Sequence, residues 1–286
     1  NAGQRPGDNL YSDSVVALDA DSGELKWHFQ FTPNDGYDYD SVQVPVLVDR
    51  DWQGKPAKLM LWANRNGYFY VLDRVTGKFL LGKPFVKVNW SSGLDENGRP
   101  IPTPQPDGMP TWPGNQGGTN WYPPSYSPRT DLFYFSAWED YATIYQAIEQ
   151  EYVPGGLFLG GGFSVKVPVH GAPTIGIGRT WPINYWTDEV GHASLMAMDP
   201  DTGQAVWKYE QFDVSDSGML TTASDLLFTG GREGYLHALD ARNGKLLWKV
   251  ALGGQIVMAP VTYMVAGVQF VTVISGNAMA TFALQD

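Results

Sequence analysis

This chain contains many short runs of residues that are mostly apolar or that alternate between apolar and polar. Each run ends at turn-forming residues. Alternation with a period of two places successive side chains on opposite faces of a strand, so these runs predict β-strands. One segment, residues 140–152 (DYATIYQAIEQEY), is instead interpreted as a short amphipathic helix. The pattern as a whole predicts an all-β protein.

Four of the runs share one spacing of an aspartate, a glycine and a large closing residue, with four residues from each to the next. The aspartate can accept hydrogen bonds from backbone N–H groups in a turn, and the glycine can take a positive φ. Each unit therefore predicts a β-hairpin whose closing residue packs between neighbouring sheets. The positions are Asp19–Gly23–Trp27, Asp73–Gly77–Leu81, Asp199–Gly203–Trp207 and Asp240–Gly244–Trp248.

The spacing of the repeats predicts the architecture. Repeats of roughly 40 to 50 residues, each a small antiparallel sheet, are typical of a β-propeller. We count five or six blade units, and we treat residues 1–286 as one partial propeller domain. The long gap in the middle holds one unit plus an insertion at about residues 141–187, rich in Gly and Pro. The repeated Asp and Trp residues are interpreted as structural.

Composition excludes several classes of protein. The formal net charge is −11, so the basic footprint of a nucleic-acid-binding protein is absent from the sequence. No apolar run is long enough to span a membrane. Cysteine is absent from the sequence, which excludes thiolate chemistry and disulfides. The chain starts at Asn1 without a recognisable signal peptide, and this leaves room for an upstream segment. The histidines are interpreted as structural or exposed, namely His28, His170, His192 and His237.

Residues 32–47 (TPNDGYDYDSVQVPVL) carry three aspartates just before an alternating apolar run. If Asp38 and Asp40 begin a strand, their i, i+2 spacing places both carboxylates on the same side, where they could face one cation. The alternative is that these aspartates only cap a turn, and Asp35 is interpreted in that way.

The repeat resembles the tryptophan-docking motif of quinoprotein alcohol dehydrogenases, the methanol and ethanol dehydrogenases that use pyrroloquinoline quinone (PQQ). Further segments resemble this family in the same order, and together they cover essentially the whole chain. They are RPGDNLYSDSVVALDADSGELKW, TPNDGYDYD, NRNGYFYVLDRVTGK, GGTNWYPPSYSPRTDLFYF and GMLTTASDLLFTGGREGYLHALDARNGKLLW. Where the family has His and Trp before the aspartate, this chain has Asn34 and Tyr37.

The resemblance implies roles for individual residues. Asp38 corresponds to the catalytic base and is also a metal ligand. Arg65 corresponds to the basic residue that contacts the quinone oxygens. Asn120 corresponds to a residue that binds the rim of PQQ, and Trp121 beside it either lines the substrate pocket or packs. Asn277 lies near the expected contact with a PQQ carboxylate.

Asp40 bears on the identity of the metal. In the family, lanthanide-dependent members resemble this chain in having an aspartate at this position, whereas calcium-dependent members carry a small uncharged residue. A trivalent ion takes many oxygen ligands, so an extra carboxylate suits it. We therefore expect a lanthanide site that includes Asp38 and Asp40. The alternative is calcium, with Asp40 solvated or capping a turn.

The resemblance also implies what surrounds this chain. It suggests the C-terminal part of an eight-bladed propeller, with a glutamate and an asparagine metal ligand, a Trp platform for PQQ and a vicinal cysteine pair upstream. The 286 residues alone are then expected to be inactive. Implied partners are a small alcohol and a soluble cytochrome c, with homodimer formation left open, and the implied location is the periplasm. The alternatives are a propeller scaffold like the outer-membrane assembly lipoproteins and a quinoprotein that oxidises sugars or polymers.

Overall fold

The computed structural model describes residues 1–107, 109–156, 158, 160–164 and 192–283. Its secondary structure is almost entirely strand, apart from one 3-10 turn at Ala2–Gln4. The strands are β1 (Ser14–Leu18), β2 (Leu25–Gln30), β3 (Val46–Trp52), β4 (Lys55–Ala63), β5 (Tyr68–Asp73), β6 (Phe79–Pro84), β7 (Ser91–Leu94), β8 (Pro100–Pro102), β9 (Pro110–Thr111), β10 (Ser125–Ser127), β11 (Leu132–Glu139), β12 (Thr143–Ala147), β13 (Gly161–Ser164), β14 (His192–Met198), β15 (Ala205–Gln211), β16 (Leu220–Thr221), β17 (Leu226–Thr229), β18 (Tyr235–Asp240), β19 (Leu246–Ala251), β20 (Val261–Val265), β21 (Val268–Ser275) and β22 (Ala278–Ala283). The all-β prediction is confirmed.

Five antiparallel sheets within the described residues have the form of propeller blades. Blade 1 is the hairpin β1–β2, blade 2 is β3–β6, blade 3 is β10–β11–β14–β15, blade 4 is β16–β19 and blade 5 is β20–β22. Blades 2, 3 and 4 each have four strands, while the outer two are shorter. This arrangement confirms the β-propeller prediction. Two smaller sheets, β7–β8 and β13–β12–β9, lie in the connections.

The repeat aspartates and glycines form the turns that the sequence predicts. In blade 1, the backbone N–H groups of Asp21 and Ser22 donate to Asp19 Oδ1 at 3.2 and 3.0 Å. Gly23 has a φ of +72°, and its N–H donates to the Asp19 carbonyl at 2.9 Å. In each repeat the strand register shifts just before the aspartate. The local pattern therefore specifies a bulged hairpin.

The closing residue of each of the first three repeats docks on the turn glycine of the next blade. A methyl group built on that glycine would lie within 2.5 to 2.7 Å of the docked side chain, which shows how closely the two blades approach. The contacts are Trp27 on Gly77, Leu81 on Gly203, and Trp207 on Gly244. Trp248 packs instead against Phe282 of blade 5, with ring centroids 5.4 Å apart. Blade-to-blade packing is thus built from the repeat itself.

The topology defines one end of the propeller as the site-bearing end, which we call the front end. In a four-stranded meander, the turn between the second and third strands lies at the same end as the connection that enters the first strand. In blade 2 these are the turn at 64–67 and the connection at 31–45. In blade 4 they are the turn at 230–234 and the connection at 212–219.

The insertion interrupts blade 3 between its second and third strands. Within it, Thr143–Ala147 is a strand that pairs with β13 and with β9, so the helix interpretation of residues 140–152 is wrong. Backbone hydrogen bonds from two distant segments override the local amphipathic pattern here. Residues 157, 159 and 165–187 of the predicted insertion, including His170, lie outside the described residues. The bounds at 141 and 187 stay a prediction.

Candidate active site

Asp38 and Asp40 lie in the connection that enters blade 2, before β3 begins at Val46. Asp35 organises this connection, because its carboxylate accepts hydrogen bonds from the N–H groups of Tyr37 and Tyr39, both at 2.9 Å. This confirms the turn role of Asp35. The strand geometry expected for Asp38 and Asp40 is wrong, because the segment is irregular and Asp38 has a positive φ of 66°.

Arg65 brings the two carboxylates together. It follows β4 in the front-end turn of blade 2, and its side chain is only 7% exposed. Its Nη2 lies 3.3 Å from Asp38 Oδ2, and its Nη1 lies 3.3 Å from Asp40 Oδ2. Asp38, Asp40 and Arg65 therefore lie together in the structure, as the resemblance implied. The two aspartates meet at the Arg65 guanidinium and not on one face of a strand.

A loop from blade 3 holds Arg65 in place. The Asn115 carbonyl accepts hydrogen bonds from Arg65 Nε, at 3.1 Å, and from Nη2. The N–H of Gly118 donates to the Arg65 carbonyl at 3.0 Å. Gly117 has a φ of +80°, and a methyl group there would lie 2.3 Å from Arg65 Cγ. Sequence reasoning missed Asn115 and Gly117, whose only signal is the Gly pair of the GGTNW segment.

The other predicted site residues are distributed over two blades. Asn120 is buried, donates from Nδ2 to the Gln116 carbonyl at 3.0 Å and accepts from the Trp121 N–H at 2.9 Å. Trp121 is half-buried and its ring centroid lies 5.1 Å from that of Tyr122. Asn277 is exposed in the turn between β21 and β22, which is the front-end turn of blade 5. The roles of these residues stay predictions.

Burial and charge both act on the carboxylates of this site. Burial raises the pKa of Asp38, and the Arg65 guanidinium opposes that rise. Asp13, just before β1, is a further acidic residue that sequence reasoning missed. Burial, together with the negative charges of Asp35 and Asp40, raises the pKa of Asp13 to about 7. The site thus concentrates negative charge around one buried guanidinium.

The chemistry of Asp38 and Asp40 fits a hard cation. Carboxylate oxygens are the preferred ligands of such ions, and these side chains are 56% and 59% exposed, so their oxygens are accessible. In the part of the chain that the structure describes, no group of three or more His, Cys, Asp or Glu side chains could hold a metal. The pair therefore fits as part of a ligand set that needs further oxygen donors.

A second Asp–Arg pair occupies the front end of blade 4. Arg232 Nε and Nη2 donate to Asp216 Oδ2 at 2.8 and 2.6 Å, and both side chains are nearly buried. The guanidinium lies over the Trp138 ring, 5.6 Å from its centroid. The indole N–H of Trp138 donates to the Ser215 carbonyl at 3.2 Å. Sequence reasoning assigned none of these residues to a site.

Comparison with known proteins identifies the family. Residues 1–97 match the model of the glucose/ethanol/alcohol dehydrogenase β-propeller domain that uses PQQ. Residues 191–286 match the model of the outer membrane protein assembly factor BamB. The fold, the docking repeats and relatives that align over nearly all of the chain show that it belongs to the quinoprotein alcohol dehydrogenase family.

Among curated relatives, the quinoprotein alcohol dehydrogenase PedH of Pseudomonas putida is 39% identical over 96% of this chain and 45% of its own length. The 1-butanol dehydrogenase (cytochrome c) of Thauera butanivorans is 39% identical over 94% of this chain and 38% of its own length. The chain thus spans less than half the length of these relatives.

Solved structures agree. The quinohemoprotein alcohol dehydrogenase of Comamonas testosteroni superposes with a TM-score of 0.82 at 35% identity, over 96% of this chain and 40% of that one. A europium-containing methanol dehydrogenase gives a TM-score of 0.82 at 31% identity, over 96% of this chain and 46% of that one. Within the described residues, no helix has the length and apolar character to cross a membrane.

Proposed function

We propose that this chain is the catalytic-base portion of an enzyme that oxidises a primary alcohol to an aldehyde with PQQ and a bound metal ion. The observation that carries the proposal is the convergence of Asp38 and Asp40 on the buried Arg65 guanidinium at the front end of the propeller. The relatives support it, because PedH is named a quinoprotein alcohol dehydrogenase, the Comamonas testosteroni protein a quinohemoprotein alcohol dehydrogenase, and the Thauera butanivorans relative a 1-butanol dehydrogenase.

Asp38 is the base in this proposal. Alcohol oxidation removes the hydroxyl proton as hydride leaves carbon, and a carboxylate within hydrogen-bond reach of the hydroxyl can accept that proton. Partial burial raises the pKa of Asp38, which strengthens it as a proton acceptor, while the nearby Arg65 guanidinium opposes that rise and favours the ionised form. Bound PQQ, with a cation held by Asp38 and Asp40, would provide a polarised quinone as the hydride acceptor.

Arg65 and Asp40 have separate tasks. The Arg65 guanidinium is held by the Asn115 carbonyl, so it is fixed in position to stabilise negative charge that develops on a reduced quinone. Asn120, Trp121 and Asn277 are proposed as further PQQ contacts. Asp40 adds a second carboxylate to the metal site, and this favours a lanthanide ion over calcium.

Other parts of the proposal concern the whole enzyme. The electron acceptor is a soluble cytochrome c, a choice supported by the cytochrome c named for the Thauera butanivorans relative. The location is the periplasm, and the substrate is a small alcohol. A non-catalytic scaffold is the second candidate, favoured by the match of residues 191–286 to the assembly-factor model. That match covers the docking repeats of blades 3 and 4 but not the Asp38 site.

The proposal is tested on the protein as its gene encodes it, reconstituted with PQQ and either calcium or lanthanum. Asp38→Asn should reduce dye-linked alcohol oxidation by about 10²-fold or more, as loss of a general base does. The control is Asp21→Asn, which changes an exposed aspartate in the first docking turn. Full activity of the Asp38 variant would show that the assigned base is wrong.

The metal assignment has its own test. The unmodified protein should be more active with lanthanum than with calcium, and Asp40→Ala should remove that preference because it deletes one carboxylate ligand. Equal or lower activity with lanthanum in the unmodified protein would contradict the role given to Asp40 and favour calcium.

A further inference from the structure

Asp38 has a backbone conformation that few residues adopt. Its φ of 66° lies in the left-handed region, which is uncommon for residues other than glycine. Such a conformation persists at a functional site when the surroundings hold the backbone on both sides. The hydrogen bonds next to Asp38 show what holds it.

Each of the two peptide units that flank Asp38 has its own side-chain partner. The Tyr145 hydroxyl donates to the Tyr37 carbonyl at 2.7 Å. This carbonyl belongs to the peptide unit between Tyr37 and Asp38, and the φ of Asp38 sets the orientation of that unit. The Asp35 carboxylate accepts a hydrogen bond from the Tyr39 N–H at 2.9 Å. This N–H belongs to the peptide unit between Asp38 and Tyr39, and the ψ of Asp38 sets the orientation of that unit. Both soft dihedral angles of Asp38 are therefore restrained by side chains.

The partner of the first peptide unit comes from the insertion. Tyr145 lies on β12, and its ring packs edge-on against that of Tyr37 with centroids 5.4 Å apart. The same strand is tied to the Arg65 side of the site, because the Asn115 N–H donates to Thr143 Oγ1 at 3.0 Å. Strand β12 thus restrains the backbone of Asp38 through Tyr145. Through Thr143 it also binds Asn115, whose carbonyl holds Arg65.

We propose that Tyr145 is a positioning residue, with Asp35 as its counterpart. The hydroxyl of Tyr145 fixes the peptide before Asp38 and so aims the carboxylate at the reacting hydroxyl. This inference rests on the proposed role of Asp38 as base. It assigns the insertion a task in the reaction, namely to supply one hydroxyl that sets the direction of the base.

The test uses the protein as its gene encodes it, loaded with PQQ and metal. Tyr145→Phe keeps the ring against Tyr37 and removes only the hydrogen bond. We expect kcat to fall about fivefold to tenfold with KM nearly unchanged, as loss of one hydrogen bond to a positioned group implies. Amide hydrogen exchange of residues 37–39 should become faster by a similar factor. The matched control is Tyr152→Phe, which changes a tyrosine of the same insertion that is 64% exposed.

The outcomes separate this inference from the proposed function. Wild-type exchange at residues 37–39 in Tyr145→Phe would overturn the positioning role, whatever happens to kcat. If Asp38→Asn stays fully active, the proposed base is wrong, and the exchange measurement still decides whether Tyr145 restrains the loop. Should Tyr145→Phe fail to fold, Asp35→Asn tests the other restraint, because the amide can keep only one of the two N–H bonds. An unchanged kcat in that variant would also count against the inference.

Discussion

Docking between blades can be tested at two glycines that share a backbone conformation but differ in surroundings. Gly244 has a φ of +73°, and a methyl group there would lie 2.5 Å from Trp207 Cε3. Gly23 has a φ of +72° in the equivalent turn of blade 1, and apart from its two chain neighbours no described residue has an atom within 4 Å of such a methyl group. Substituting each by alanine therefore separates backbone strain from the clash with the docked tryptophan.

The expected magnitudes follow from these two surroundings. An alanine in the left-handed region costs about 1–2 kcal/mol at either position. The overlap with Trp207 adds the energy of overpacking, about 1–3 kcal/mol, and only at Gly244. Gly244→Ala should therefore lower the free energy of unfolding by about 1–3 kcal/mol more than Gly23→Ala. In a Trp207→Ala background the overlap disappears, and the two glycine substitutions should become equivalent.

The assay is urea unfolding of the 286-residue chain, followed by tryptophan fluorescence and by circular dichroism. Variants are compared by their midpoints where the slope of the transition is unchanged, since that slope reports the surface exposed on unfolding. Gly77, with a φ of +74° and a methyl position 2.6 Å from Trp27, serves as an independent repeat of the measurement. Equal losses for Gly23→Ala and Gly244→Ala would refute the docking argument, because the clash would then contribute nothing.

Two further predictions concern the front end of blade 4. Arg232→Met should destabilise the protein by about 3–5 kcal/mol, because it leaves the buried Asp216 without its counter-ion. The control is Arg99→Met, which breaks the half-exposed ion pair with Asp8. It should cost less than about 1 kcal/mol in the same unfolding assay. Burial raises the pKa of Asp213 from 3.8 to about 6, so the native state binds this proton more tightly than the unfolded chain does. The contribution of Asp213 to stability should therefore be fully present below about pH 4 and fall by on the order of 2 kcal/mol as the pH rises through 6. Asp213→Asn should make the loss of stability with rising pH shallower in unfolding measured from pH 4 to 7, with Asp13 accounting for a remaining part. An unchanged slope would show that Asp213 is not responsible.

At Asp38 the resemblance and the local pattern have different outcomes. The resemblance to quinoprotein dehydrogenases singled out Asp38, Asp40 and Arg65, and the structure brings all three together. The reason offered from local pattern, strand alternation, is wrong because Asp38 is left-handed and β3 starts only at Val46. A period-two pattern does not reveal where a strand begins, so the geometry at its entrance could not be deduced.

The sequence by itself determined the repeating units and their docking. The Asp-to-Gly spacing specifies a turn through contacts within a few residues, and the closing Trp or Leu packs on the same position of the next unit. Such information is local and repeated: the turn pattern occurs four times along the chain, and three of the closing residues dock on the glycine of the next unit.

Only the tertiary structure decided how the candidate site is assembled. Arg65 reaches the carboxylates because a loop of blade 3 supplies the Asn115 carbonyl and leaves room at Gly117 for its side chain. Tyr145 reaches the peptide before Asp38 from 108 residues away along the chain. These contacts occur once and join segments from two blades, and no local pattern encodes them, because their partners become neighbours only when the blades pack.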